Sequence, residues 1–418
     1  MKAEPRILVI SNNSFSSHSN NGKTLSSFFS LFSNKNISQL FFKKEIPDNV
    51  NYFNYFRISD ADVLFGRDGE QIFPYQKKCT DAEKSKLNFK GEIFRLMREV
   101  IWKIGNWKSE SLIEWLEEFQ PDIIFLCGGD SIFAYEIANF ICKKYEAKLV
   151  LYITDDYITN RNSLRVFYFI RRNLLFKKMK QTVENASLFY TISDLMSQEY
   201  EKIFGKKSKV ISNFQDFSTL ESDRVNKSNL EENKKINLIY AGGLHYRRNE
   251  TLQALVESIE LYNKTSIKKA HLSVYTNLNN MDNHSFKLQS SCVTIHDIVS
   301  EEKLKIILNN CDIPVHVESF DKKSRIATRL SLSTKISEYL SLGKPILAIG
   351  PEEIASMRHL QDSAFCITEL SDLNEKLIVL LENDKLRSDL SKKSENLYKK
   401  AHNKNRMQKE LYEDLLNI

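Results

Sequence analysis

Short apolar runs recur along the chain, and each is followed by a longer stretch whose apolar positions fall three and four residues apart. Continuous apolar runs mark strands buried on both faces, and the longer spacing marks amphipathic helices. Ile7-Leu8-Val9-Ile10 predicts the first strand, and residues 23–32 predict a helix with Leu25, Phe28, Phe29 and Phe32 on one side. Residues 39–42 predict a second strand. Residues 43–80 read as irregular and aromatic-rich, and residues 86–116 as one or two amphipathic helices. Strands in "QPDIIFLCGGD", "KLVLYITDD", "SLFYTIS" and "KVISN" then alternate with helices over 131–144, 162–185 and 193–203.

The alternation stops at a polar, charged stretch and restarts at "INLIYAGGL". Strands in "HLSVYT", "CVTIHD", "DIPVHV", "PILAIG" and "AFCIT" follow, with helices over 249–262, 300–309, 333–342, 351–360 and 369–383. Two such series predict an α/β protein of two doubly wound, Rossmann-like parallel sheets, with ligands at the carboxyl ends of the strands and a cleft between the domains. The expected limits are 1–213 for the first domain, 214–235 for a linker and 236–394 for the second. The last stretch is helical and charged without a strand of its own, and about 395–418 is expected to cross back to the first domain.

Composition narrows the class. The chain has 418 residues, 42% hydrophobic and 27% charged, which is ordinary for a globular protein of two domains. The net charge of +6 suits anionic ligands or an anionic membrane surface. The six cysteines form no CxxC pair, which predicts reduced thiols and a cytoplasmic protein. No His, Cys and carboxylate cluster has zinc spacing, so no metal is expected. No signal peptide or transmembrane run is read, and no nucleic-acid partner is expected.

"NNGKT" raises the question of a phosphate-binding P-loop. That motif needs a glycine five residues before the Gly of Gly-Lys-Thr, and Ser17 stands there. Eleven residues separate Ile10 from Gly22, and residues 11–21 contain no glycine. An NTPase is therefore a minor alternative. Two other readings stay open: a turn glycine opening a helix, with Lys23 solvated, or a helix N-terminus that attracts anions.

A second motif is "YAGGLHYRRNETL". Gly242 and Gly243 permit close backbone approach, and Arg247 and Arg248 could clamp a diphosphate with forked hydrogen bonds, or be solvated at a surface turn. A third is "STKISEYLSLGKPILA". Ser333 and Thr334 open a helix, Lys335 lies in its first turn, and Glu338 shares its face three residues on. A cation there opposes the helix dipole unless an anion binds, and a carboxylate one turn deeper can accept both hydroxyls of a ribose.

These motifs resemble the GT-B glycosyltransferases, in particular the retaining family 4 group of bacterial surface-polysaccharide synthesis. Glu338 matches the second glutamate of that family's E-x7-E motif, and the match extends over nearly the whole chain. Leu330 stands where the first glutamate falls, with Glu318 or Asp321 as substitutes from the preceding loop. The resemblance implies transfer from a UDP- or GDP-sugar donor, with no other cofactor, to a saccharide or lipid-linked acceptor. It assigns the departing diphosphate to Arg247, Arg248, Lys335 and the amides of Ser333 and Thr334, and the ribose to Glu338. Gly22 and Lys23 would approach the donor phosphates, and His245 would touch phosphate or sugar.

Asp155 and Asp156 follow a strand and either bind acceptor hydroxyls or cap the next segment; Asp130 is a similar case. Residues 165–180 and 94–107 combine apolar and basic positions. Each reads either as a core helix with solvated cations or as a membrane-surface helix, consistent with peripheral contact at the inner face of the cell membrane. An inactive nucleotide-sugar-binding scaffold and an epimerase on the same fold remain as alternatives.

Overall fold

The apolar runs pair as parallel strands in two separate sheets of eight and six strands. The computed structural model describes residues 4–16, 20–49, 51–52, 54–74, 91–159, 166–214, 235–278 and 290–418. Most of the expected linker, Ser17 and Cys79 lie outside the described residues. The chain divides into one unit of residues 1–211 with 405–418, and another of residues 212–404.

In chain order the first unit contains β1 (Ile7–Ser11), α1 (Asn20–Phe28), β2 (Ile37–Phe41), β3 (Asn54–Arg57), α2 (Asp60–Phe65), β4 (Glu70–Ile72), α3 (Glu92–Ile104) and α4 (Glu110–Phe119). It continues with β5 (Ile123–Gly128), α5 (Ile132–Tyr145), β6 (Lys148–Ile153), α6 (Val166–Asn185), β7 (Leu188–Thr191), α7 (Asp194–Phe204) and β8 (Lys209–Val210). The sheet order is β4-β3-β2-β1-β5-β6-β7-β8, parallel except for the antiparallel edge pair β3–β4.

Residues 43–80, expected to be irregular, hold β3, α2 and β4. These elements are too short to show a period. Their signal is local: Ser59 Oγ accepts the Asp62 amide at 3.3 Å, Asp62 accepts the Ser59 amide at 2.8 Å, and Gly66 ends α2 at φ 60°. That is a capping box followed by a left-handed C-terminal residue. The first helix also begins three residues earlier than its pattern predicts and stops at Phe28. Its expected inner face is buried all the same, with Phe29 edge-on to Phe125 of β5 at 5.1 Å.

The second unit contains β9 (Lys235–Ala241), α8 (Arg248–Thr265), β10 (Lys269–Tyr275), β11 (Val293–His296), α9 (Glu301–Asn310), β12 (Ile313–Val317), α10 (Lys322–Thr328) and α11 (Lys335–Ser341). Then come β13 (Leu347–Ile349), α12 (Ala355–Leu360), β14 (Phe365–Ile367), α13 (Leu373–Glu382) and α14 (Asp384–Leu397). The sheet order is β11-β10-β9-β12-β13-β14, parallel throughout. Its apolar strands and the inner faces of α8 and α13 form one buried cluster. Covering both faces of a parallel sheet with helices is what lets its strands be apolar throughout.

The charged C-terminal stretch is α14, a π-turn over Tyr398–His402, and α15 (Lys404–Leu416). α15 belongs to the first unit. Leu411 and Leu415 are buried, the Tyr412 ring lies 4.6 Å from Phe32, Gln408 Nε2 donates to the Ser27 carbonyl at 2.6 Å, and Tyr190 donates to Asp414 at 2.6 Å. Deleting a buried leucine's branched end costs about 2–5 kcal/mol. Leu411→Ala is therefore expected to destabilise the first unit by that order. Trp102, Trp107 and Trp115, the chain's three tryptophans, all lie in that unit, so their fluorescence during denaturation reports it directly. An unchanged midpoint would show that α15 does not support it.

Candidate functional site

The strand order of the second unit reverses between β9 and β12, so the segments leaving these neighbours diverge and open a crevice at their carboxyl ends. β9 leads into Gly242 and Gly243. A Cβ on Gly243 would come within 2.5 Å of the His245 ring, and one on Gly242 within 2.9 Å of the Tyr240 hydroxyl. Tyr240 donates to the Gly243 carbonyl at 2.7 Å and pins the loop to its own strand. Tyr246 and Arg247 both take left-handed backbone, at φ 59° and 56°. Such conformations cost energy in residues with a Cβ and concentrate at functional loops.

The two arginines are already oriented. Arg248 donates through Nη2 and Nε to Glu318 Oε2 at 2.9 and 3.3 Å, and His316 Nε2 lies 3.2 Å from Glu318 Oε1. Only 3% of the Glu318 side chain is exposed. Burial works against its ionisation, but Arg248 and then His316 outweigh that and hold the carboxyl at about 2. Burial likewise opposes the Arg248 charge, and Glu318 reverses that effect and raises its pKa. Arg247 is exposed and donates to Asp321 at 2.9 Å, with Glu250 at 2.6 Å on its other nitrogen. Partial desolvation and the adjacent Arg248 cation lower the His245 pKa below the ordinary imidazole range.

α11 brings the third motif to the same place. Tyr339 OH accepts the Ala241 amide at 3.0 Å, which ties α11 to the last residue of β9. Lys335 Nζ bridges both oxygens of Glu338 at 2.9 and 2.8 Å, and Glu338 is only 7% exposed. The Ser333 amide donates to Ser356 Oγ at 3.3 Å, Thr334 precedes the helix, and Gly343 ends it at φ 59°. The Tyr339–Ala241 bond thus sets α11, with Lys335 and Glu338, beside the start of the loop that carries Gly242, Gly243, His245, Arg247 and Arg248, and Ser333 and Thr334 precede that helix. Leu330 is fully buried. Glu318 and Asp321, expected to substitute for the missing glutamate, face Arg248 and Arg247 instead.

In the first unit the described part of the loop after β1 directs two of its amides to side chains. The Ser14 amide donates to Glu45 at 2.6 Å and the Phe15 amide to Gln39 at 2.7 Å, so donors that would hold a phosphate serve protein oxygens. Gly22 lies against this loop, where a Cβ would meet the Ser14 carbonyl at 2.3 Å. The glycine satisfies a packing contact. Lys23 is half-buried on α1.

Asp130 follows β5 and faces Arg95 at 3.3 Å and Arg171 at 3.4 Å. Asp155 and Asp156 part company. Asp156 is buried and accepts from the Ile158 and Thr159 amides and from Tyr200 OH at 3.0–3.2 Å, which makes it an anchor of its loop. Asp155 is exposed, with Tyr157 OH at 3.4 Å. Among the described residues no three ligating side chains come together as a metal site would require.

No protein-family model matches the chain, and no curated protein matches it. Solved structures do match over its full length. One from E. coli, described as trehalose-6-phosphate bound with UDP-2-fluoro glucose, superposes with a TM-score of 0.64 at 11% identity, covering 99% of each chain. A glycosyltransferase from Rickettsia africae gives 0.61 at 12% identity, again over 99% of both chains. The calicheamicin glycosyltransferase CalG4 gives 0.53 at 10% identity over 100% of both. The fold is the GT-B architecture of two Rossmann-like parallel-sheet units.

Removing one partner of a buried ion pair costs about 3–5 kcal/mol, because the other charge is left stranded. Glu318→Gln should destabilise the second unit by that order. The sign with pH follows from a folded-state value of about 2 against an ordinary 4.5. The contribution is full above about 4.5 and is lost as pH falls towards 2. Acid unfolding of the native chain should steepen in that window, and Glu318→Gln should flatten it. Equal slopes in both proteins would show that Glu318 carries no depressed pKa.

Proposed function

We propose that the chain is a retaining, family 4-type glycosyltransferase. On this reading it moves a sugar from a UDP- or GDP-sugar to a saccharide or lipid-linked saccharide in cell-surface polysaccharide synthesis, such as capsule or lipopolysaccharide. It would act in the cytoplasm at the inner face of the membrane. The observation that carries the reading is the Lys335–Glu338 pair, tied through Tyr339 to the end of β9 beside the Gly242–Gly243 loop. Phosphate and ribose groups are what a cation and a carboxylate on one short helix, facing a glycine turn, are suited to bind.

In the ligand-free chain Lys335 occupies the Glu338 oxygens. On donor binding the lysine turns to the diphosphate and frees Glu338 for the ribose hydroxyls. Arg247 and Arg248 take the remaining phosphate charge, and His245, held neutral, offers a hydrogen bond to phosphate or sugar. The Ser333 amide exchanges its long bond to Ser356 for a phosphate oxygen. The anomeric carbon–oxygen bond to the diphosphate then breaks through an oxocarbenium-like state. The acceptor oxygen attacks on the same face, and its proton passes to the leaving phosphate oxygen, so no protein base is needed. Preorganised cations stabilise the charge that develops on the leaving group, and on this reading they suffice without a metal.

The acceptor side is assigned to the first unit, with exposed Asp155 the better placed of its carboxylates and Asp130 a second contact. A trehalose-6-phosphate synthase among the structural neighbours was solved in work on glycosyltransfer with retention, which supports the stereochemical proposal. One observation favours a different reading. Leu330 offers no polar group, and Glu318 and Asp321 are engaged, so the sugar lacks an evident carboxylate partner. That arrangement suits a scaffold that binds nucleotide sugar without transferring it.

A panel of UDP- and GDP-sugars decides between the two. Turnover with one donor is expected, with kcat/KM reduced about 10²-fold or more in Lys335→Ala and Glu338→Ala. NMR of the first product gives the anomeric configuration. Binding by calorimetry without turnover establishes the scaffold, and turnover unchanged in both variants removes α11 from the site.

A further inference from the structure

The two basic, apolar stretches of the sequence turn out to differ. On α6 much of the positive charge is used internally. Arg171 is 8% exposed and donates to Glu92 at 2.8 Å, Arg172 donates to the Ile158 carbonyl, and Lys178 pairs with Glu136 at 3.2 Å. α3 has the opposite character. Its inner side holds fully buried Trp102, which stacks on Phe133 at 3.8 Å and donates to Asp60 at 2.7 Å. Its outer side presents Ile93, Phe94, Met97, Val100 and Ile104, each more than half exposed and Ile104 79% exposed. The spacing runs along one helix face, so a continuous apolar row about 16 Å long meets water. A surface helix ordinarily turns that row inward, and a patch of this kind marks an interaction site.

α6 lies beside α3, joined by the Arg171–Glu92 pair, and adds exposed Val166, Phe167, Ile170 and Leu174. Gly105 ends α3 so close to α2 that a Cβ would meet Val63 Cγ1 at 2.4 Å, and α2 adds Phe65, 64% exposed. Three neighbouring elements therefore carry large apolar groups in water.

The acidic groups beside this face, Glu92, Asp60 and Asp130, are paired with Arg171, Arg98 and Arg95. Across α3 and α6 the carboxylates are Glu92, which pairs with Arg171, Glu184 at the far end of α6, and Glu99. Glu99 turns inward and accepts the Ile132 and Phe133 amides at 3.0 and 3.2 Å, capping α5. Lys103, Lys177 and Lys180 are exposed, while Arg95 lies against Asp130 at 3.3 Å and Glu92 at 3.8 Å. Past the end of α3, a cleft of about 770 Å³ is lined by Lys103, Lys108, Lys143 and Lys178, with Glu136 the one carboxylate on its wall. Apolar groups on an outward helix face, rimmed by cations, describe a helix that lies in the plane of an anionic bilayer surface.

We propose that α3, flanked by α6 and α2, is a docking surface for an anionic lipid bilayer. α3 inserts its apolar row below the headgroups, and the lysines around it meet lipid phosphates. The purpose of this docking, access to a lipid-linked acceptor, rests on the glycosyltransferase reading; the surface and its test do not.

The test is co-sedimentation of the full chain with phosphatidylcholine vesicles, with and without phosphatidylglycerol. Binding to the anionic vesicles, weakened by salt, is expected. Met97→Gln combined with Ile104→Gln should reduce that binding at least tenfold. Lys103→Gln combined with Lys177→Gln should erase the preference for anionic lipid. All four positions are exposed, so melting followed by tryptophan fluorescence should match the native chain. No sedimentation with anionic vesicles, or equal binding by the variants, overturns the proposal. So does self-association that the apolar variants abolish without any vesicle binding, which would assign the face to a second copy of the chain. Calorimetric titrations of UDP and of GDP on the same variants separate the two readings. Vesicle binding without nucleotide binding keeps the docking surface and rejects the donor site; the reverse keeps the donor site alone.

Discussion

A carboxylate with 3% of its side chain exposed cannot stay ionised alone, and the candidate donor region of the second unit is organised around meeting that requirement. Glu318 follows β12, and Arg248 opens α8 after the loop from β9. Their ion pair therefore joins the carboxyl ends of the two strands where the sheet order reverses. Thr251, one turn into α8, reinforces the join by donating to the Glu318 carbonyl at 2.8 Å. The strained backbone at Tyr246 and Arg247 is then bounded on both sides: Tyr240 holds the glycine turn before it, and Arg248 holds the helix after it. A guanidinium so fixed loses little side-chain freedom when an anion arrives, which is the benefit of preorganisation.

The two units share a strand order at their centres and spend it differently. In both, the sheet reverses beside the first strand of the unit, β1 or β9. After β9 the loop keeps two glycines and a run of basic residues. After β1 the loop directs its amides to Gln39 and Glu45, and Gln39 Nε2 returns a bond to Ser11 at 2.8 Å. One reversal gathers arginines paired with carboxylates, while two amides at the other serve a neutral and an acidic side chain. Fold alone does not assign chemistry to either; the side chains at each reversal do.

Much of the architecture was legible because parallel strands buried on both faces leave long apolar runs, and the helices between them keep a clear period. The elements that escaped, β3, α2, β4 and α10, are of seven residues or fewer, too short for a period to repeat. The capping residues of α2 were present in the sequence as Ser59, Asp62 and Gly66. In the site, the glycine loop and α11 were visible through residue types at fixed spacing. The roles of Glu318 and Asp321 were not, because pairing with arginines 70 and 74 positions away is set by the sheet and leaves no local pattern. A glutamate directly after an apolar strand was the available signal. The pair Asp155 and Asp156 shows the same limit: adjacent carboxylates look alike in sequence, and only burial among three donors separates the anchor from the exposed group.

The return of α15 makes the first unit discontinuous in sequence, with some two hundred residues of the second unit between β8 and its final helix. Ribosomal synthesis proceeds from the N-terminus, and domains ordinarily fold in that order. Here the order is broken. The strands of the second unit are all translated before the first unit receives the helix that covers Phe32 and Ser27. Until then that aromatic flank stays open on the nascent chain. Closing it requires contacts spanning almost the whole sequence, a slow kind of step because the loop-closure entropy is lost before the contact is gained. Residues 405–418 thus complete the first unit only after every strand of both units has been made.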